Sequence, residues 1–231
     1  MTSLVLGDLR FDVRRSDRRR TLGLTVERDG SLVLSAPPDV ADFRLERFAK
    51  EKRFWVYDKL AGKETLPRAL PVRKFVTGEG FPYLGQSHRL QLVADLDVPV
   101  KLDAGRFKMR RCDTAHGRAI MIRWYSTHAQ PWLAARVERY AGRARVEPGA
   151  VTVQDLGFRW GSCGKGGRLY FHWRAILLPP RIVDYIVVHE LVHLSEPHHS
   201  PGFWRRVERA MPDFAARKQW LAENAWDATG V

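Results

Sequence analysis

The sequence predicts an α+β protein: a β-rich N-terminal half with one packing helix, then a largely helical C-terminal half. Three observations predict it. From Leu22 to Met109, apolar residues alternate with polar ones in short runs divided by glycine and proline. From about Thr114 onward they recur every three or four residues, and an apolar run from Ile182 to Leu194 encloses His189-Glu190-Leu191-Val192-His193. The 231 residues suffice for one large domain or two small ones, and the change of period places the division at 1–111 and 112–231.

Taken in order, Leu22, Leu24 and Val26 alternate, Asp29-Gly30 makes a turn, and Leu32 and Leu34 alternate again, which predicts a hairpin over 21–36. Pro37-Pro38-Asp39 then opens a helix to about Leu60, with Ala41, Leu45, Phe48, Trp55, Val56 and Leu60 on one arc and Lys52 interrupting it. Arg73 to Met109 reads as a meander of small strands, with His88 solvated in a turn. A helix follows over about Thr114–Gly142, where Ala115, Ile120, Ile122, Trp124, Tyr125, Trp132, Leu133, Val137 and Tyr140 are apolar and Pro131 must kink or divide it. His116 and His128 have no partners at metal spacing. Val151–Phe158 and Arg168–Trp173 are short β runs flanking the glycine-rich stretch 159–167, a hairpin whose edge could hold a peptide as an added strand. It is no phosphate loop, because the spacing of one is missing and no helix start follows. A further helix carries Phe203, Trp204, Val207 and Met211, and a last one spans Phe214–Trp226.

An apolar share of 45% and a charged share of 28% describe a soluble globular chain, and no run approaches the ~18 apolar residues of a membrane span. Residues 1–20 lack the apolar core of a signal peptide. Cys112 and Cys163 are too few for a disulfide framework, which points to the cytoplasm. The formal charge of +13 concentrates at Arg14–Arg20, Arg106–Arg111 and Arg136–Arg145. Such clusters can neutralise phosphates, so nucleic acid is a candidate partner, although no recognition-helix pattern accompanies them.

The chemistry lies at 189–199. Four residues apart on a helix, His189 and His193 share a face and can share a zinc ion. Glu190, about 100° round, reaches a water on that metal rather than the metal itself. The pKa of such a water falls to about 7, and Glu190 can take its proton as it attacks a carbonyl. Pro197 disfavours helix at Glu196 and turns the chain, Ser200 reads as a helix N-cap, and Pro201 opens the next helix. His199 therefore sits on a short turn, six residues beyond His193, the spacing of the third histidine in metzincins. Glu196, His198 and Glu208 compete for that third position. Glu196 needs the helix to continue, adjacent His198 and His199 cannot both face one ion, and Glu208 is more distant. Cys163 has two readings, a fourth ligand closing the site or a small packing residue, and Ser162 could help polarise a carbonyl.

Arg159-Trp160-Gly161-Ser162-Cys163, Trp173-Arg174, Pro179-Pro180, Asp184-Tyr185, His189-Glu190-Leu191-Val192-His193-Leu194, His199-Ser200 and Phe203-Trp204 resemble the YgjP-like metallopeptidases, relatives of the SprT-like and WLM zincins. The resemblance implies a zincin-like catalytic half with an HExxH helix. It also implies His189, His193 and His199 as zinc ligands and Glu190 as the catalytic acid/base. Arg159, Trp160 and Ser162 are candidate substrate-binding residues. Family members often carry asparagine where this chain has His198. The function expected is zinc-dependent hydrolysis of a peptide or protein substrate, away from membranes. The alternatives are a nucleic-acid-associated protein with a structural zinc site, or a protease acting on DNA-bound proteins.

Overall fold

A computed structural model describes residues 3–7, 9–27, 30–53, 56, 73–157 and 159–224. The chain forms two compact units, 1–70 and 71–231. The boundary differs from the 111/112 division that periodicity suggests. Phe81, Leu90, Phe107 and Met109 of the second set of strands share one core with Met121, Trp124 and Tyr125 of the helix that follows. Burial, not period, decides which elements belong together.

In the first unit, β1 (Ser3–Leu6) and β2 (Leu9–Arg15) form a hairpin, as do β3 (Gly23–Val26) and β4 (Leu32–Ala36). The β3/β4 pair, with Leu24 opposite Leu34, is the hairpin expected at 21–36; Asp29 of its turn lies outside the described residues. β2 and β4 run parallel at the centre, giving the order β1-β2-β4-β3. Helix α1 (Asp42–Glu51) buries Leu45 and Ala49 against this sheet's core. It starts later than Pro37-Pro38-Asp39 suggests, because Arg15 takes the preceding carbonyls: its guanidinium donates to Pro38 O at 2.8 Å and Val40 O at 2.7 Å, and pairs with Asp42 at 2.7 Å. Trp55 and Leu60, expected on the same arc, lie outside the described residues.

The second unit repeats the arrangement with β5 (Gly80–Tyr83), β6 (Gln86–Val93), β7 (Val100–Asp103) and β8 (Arg106–Arg110), in the order β5-β6-β8-β7 with β6 and β8 parallel. It is two hairpins side by side rather than a simple meander. Leu84 and Gly85 both have positive φ (50° and 77°), as a two-residue turn matched to strand twist requires. That tip docks on the chain just ahead of Pro179-Pro180: Leu84 N–H donates to Ile176 O at 2.8 Å and Gly85 N–H to Leu177 O at 3.1 Å. A Cβ on Gly85 would lie 2.8 Å from Pro179 Cα, so only glycine permits this contact.

Helix α2 (Gly117–Ala144) is continuous through Pro131. The helix is neither divided nor ended there, because Pro131 and Thr127, whose carbonyl loses its partner, are both exposed and water can serve that carbonyl. A three-stranded sheet follows, in the order β10-β11-β9, from β9 (Val151–Gln154), β10 (Gly161–Cys163) and β11 (Leu169–His172). Helices α3 (Pro180–Val192), α4 (Pro201–Ala210) and α5 (Phe214–Asn224) complete the described chain. The α+β arrangement, β-rich first and helical later, is thus present. Among the described residues no helix is long and apolar enough to cross a membrane.

Candidate metal centre and active site

Helix α3 is the spine of the site. Pro180 occupies its first turn, and Ile182, Val183, Ile186, Val187, Val188, Leu191 and Val192 are buried, so the helix is gripped on nearly every side. Asp184, also buried, accepts from Tyr140 Oη at 2.9 Å and lies 3.5 Å from Arg136 Nε, tying α3 to α2. The helix ends at Val192 with His193 as C-cap, and the chain tightens through turns to Glu196 before Pro197. Ser200 caps α4 by accepting from Phe203 N–H at 3.2 Å, and Pro201 stands at the first helical position. The turn is thereby fixed at both ends.

These elements bring His189, His193 and His199 together. Their Nε2 atoms are separated by 3.2 Å (His189–His193), 3.1 Å (His193–His199) and 2.9 Å (His189–His199). Nitrogens held tetrahedrally about 2.0–2.1 Å from one zinc ion stand roughly 3.3 Å apart, so the triangle fits such an ion. His193 Nδ1 lies 3.0 Å from Glu196 O; a carbonyl only accepts, so the ring proton is on Nδ1 and the Nε2 lone pair faces inward. Phe203 lies beneath all three imidazoles, with ring centroids at 4.9, 4.6 and 4.8 Å. Trp204 stacks on His199 at 5.7 Å. Burial first, and then the neighbouring imidazoles His193 and His199 and the Lys218 ammonium, push His189 down to about 3, keeping it in the neutral, metal-binding form. His199 is lowered by burial and then by His193, Lys218 and His198.

The metal-capable cluster consists of these three histidines, without Cys163, Glu196, His198 or Glu208. Glu196 serves through its carbonyl, while its carboxylate lies 3.4 Å from Arg206. Cys163 lies on β10, its thiol pKa raised by burial and then by Glu190, with Sγ 3.9 Å from Gly164 O. The closed four-ligand arrangement is therefore not formed.

Glu190 is only 6% exposed. Burial pushes its carboxyl up to about 7, against the opposing pull of Arg159. Opposite it runs β10, and the fit is close: a Cβ on Gly161 would lie 2.6 Å from Glu190 Cγ and 2.7 Å from Oε1. Gly161, Tyr185, Ile186 and Leu221 line a cleft of roughly 720 Å³ together with Arg159, Trp160, Ser162, Cys163 and the histidines. The three residues expected to contact substrate thus reach the same cleft. Gly161 and Tyr185 stand in the motifs of the family resemblance without an assigned role there, and Leu221 carries no local sequence signal. Tyr185 is pushed up to about 12 by burial and then by Glu190, so its hydroxyl keeps its proton.

Among the described residues, one edge of the small sheet is closed by a side chain and the other pairs with no further strand. On β9, Gln130 donates to Val151 O at 2.7 Å and accepts from Val153 N–H at 2.9 Å, imitating a further strand. On β10, His172 N–H donates to Trp160 O at 2.9 Å and Gly164 N–H to Arg168 O at 2.8 Å. Alternation in an antiparallel ladder then pairs Ser162 with Tyr170 and turns the peptide groups of Gly161 and Cys163 outward.

Three imidazoles that can hold a metal ion, with a buried carboxylate in the same cleft, are the groups that a metal-dependent hydrolase uses. The sequence signature of the YgjP-like metallopeptidase domain matches residues 20–224, and the chain belongs to that family. It is a metallopeptidase. No curated protein matches the chain. Among solved structures, the metallopeptidase zymogen abylysin of Pyrococcus abyssi is similar over 40% of this chain and 95% of its own, at 22% identity and a TM-score of 0.37.

Proposed function

We propose that the chain is a zincin-type peptidase in which His189, His193 and His199 hold zinc and Glu190 carries the proton. The observation that supports this most is the convergence of three Nε2 atoms beside a carboxylate that burial has raised to about 7. When bound, zinc supplies Lewis acidity toward water and toward a peptide carbonyl. Glu190 Oε takes the proton of the attacking water and passes it to the amide nitrogen as the C–N bond breaks, so water is consumed and a carboxylate and an amine are formed. A carboxyl with a pKa near working pH suits both halves of that transfer. The substrate peptide lies along β10, paired with the outward peptide groups of Gly161 and Cys163, with Trp160 and Ser162 beside it. Arg159 draws the Glu190 pKa down toward the working range.

The test is Glu190→Gln, nearly isosteric and outside the imidazole triangle. It should retain metal and lose hydrolysis by orders of magnitude; equal peptidase rates at equal zinc content would refute the mechanism. A cytoplasmic place of action accords with the two free thiols of Cys112 and Cys163. Nucleic-acid contact belongs to this reading through the exposed Arg139 and Arg143 of α2, whose guanidinium groups lie against the ring of buried Tyr140, and its signature is affinity that falls log-linearly with salt.

A further inference from the structure

Apart from Glu190, which faces inward against Gly161, the described charged side chains that line the cleft are cations. Two lining cations bracket the open strand: Arg159 stands two residues before β10 and Lys165 two residues after it. A third cation, outside the lining itself, is Lys218 on α5, one helical turn before the cleft residue Leu221. Its Nζ lies 4.0 Å from the Trp204 ring centroid, on the ring that also stacks on His199, and its charge reaches His189 and His199. Lys165 and Lys218 are exposed, and among the described residues neither forms an ion pair.

We propose that the cleft selects acidic peptide segments, with Lys165 and Lys218 as specificity-determining residues that favour Asp or Glu a few residues from the scissile bond. This rests on the peptidase reading and names its substrate class. A peptide laid along β10 passes Arg159 at one end and Lys165 at the other. An extended strand advances about 3.3 Å per residue, so these cations address side chains roughly three positions either side of the strand's centre. The protein's net charge of +13 gives a general attraction for anions, but only cations fixed at the strand ends give a preference that differs between the two sides of the bond.

The experiment uses blocked dodecapeptides of one core sequence, with Asp, Asn or Lys pairs at the third and fourth positions on one side or the other of the central bond. Binding is measured by calorimetry to zinc-loaded Glu190→Gln, and turnover with the parent. The Asp peptides should bind at least tenfold more tightly than the Lys peptides. Adding Lys165→Glu should remove that preference on one side only, and Lys218→Glu, on a separate element, should weaken it as well. Arg106→Glu, a charge-matched change outside the cleft lining, should leave it intact. Equal affinities for the three peptide sets, or equal loss in the Arg106 variant, would overturn the proposal. Charge-independent turnover leaves the peptidase reading standing without it. Selective binding of Asp peptides that the parent never cleaves does the reverse.

Discussion

His198 and His199 are chain neighbours with different surroundings. The Nε2 of His199 closes the triangle with His189 and His193, whereas His198 is exposed and outside the cluster. Replacing His199 by alanine should weaken zinc binding by about 100-fold or more, beyond what the loss of an outer partner typically costs. Replacing His198 should change it by less than about threefold, since it lies outside the imidazole triangle. Competitive zinc titration of the two variants separates them, and the opposite order would reassign the third ligand. The triangle was legible in the sequence because all three residues lie in one short stretch, where helix geometry and a proline-made turn dictate direction. Gly161, Tyr185, Leu221 and Lys218 were not legible as a set. Tyr185 stands one helical turn before His189, but Gly161, Leu221 and Lys218 meet the histidines only through tertiary packing, which local spacing does not record.

Strand β10 and helix α3 touch through the smallest possible contact, Gly161 against the Glu190 carboxylate. Gly161→Ala should force the two apart and misplace the carboxylate, lowering kcat at least tenfold while zinc affinity stays within about threefold, because no imidazole is disturbed. Unchanged kcat would mean that the contact has no bearing on the proton carrier. Local chemistry dictates some elements and long-range contacts dictate others. The hairpin at 21–36 and the cap at Ser200 followed from local turn and capping chemistry. The start of α1 did not, because Arg15, far away in sequence, takes the carbonyls that would have begun it. Strand β2 was overlooked among the basic residues of the N-terminus, although Leu9, Phe11 and Val13 are buried and alternate with exposed Arg10, Asp12 and Arg14. Part of that basic cluster is therefore framework.

For the molecule as a whole, His189 and Glu190 act on stability with opposite signs. In the metal-free chain His189 is lowered from 6.5 to about 3, so its contribution is full above pH 6.5 and is lost as pH falls toward 3. Glu190 is raised from 4.5 to about 7, so its contribution is full below pH 4.5 and is lost as pH rises to 7. Between pH 4.5 and 6.5 Glu190 opposes the acid loss due to His189, to which the lowered His199 adds in the same direction. Glu190→Gln removes the compensating group, and its acid loss should begin near pH 6.5. Chemical denaturation of both metal-free proteins from pH 4 to 8 reads this directly, and parallel curves would sink it. The division of the chain was the least legible feature at this scale. Strand periodicity continues to Met109, but the core joins β5–β8 to α2, and periodicity says nothing about which surfaces meet.

The three imidazoles fall within residues 189–199, so only very short loops must close to gather them, and the entropy of closure is small. The carboxylate's setting is assembled differently. It needs Gly161 from an earlier strand, and α3 itself is seated by the Leu84-Gly85 tip docking on Ile176 and Leu177, contacts that close loops of many tens of residues. Order of assembly follows from this asymmetry. A chain emerging during synthesis, or one partly unfolded, can capture its ion before it can cut. Metal content is therefore a poor measure of how much competent enzyme a preparation holds, and the newly made peptidase stays harmless until its distant parts have met.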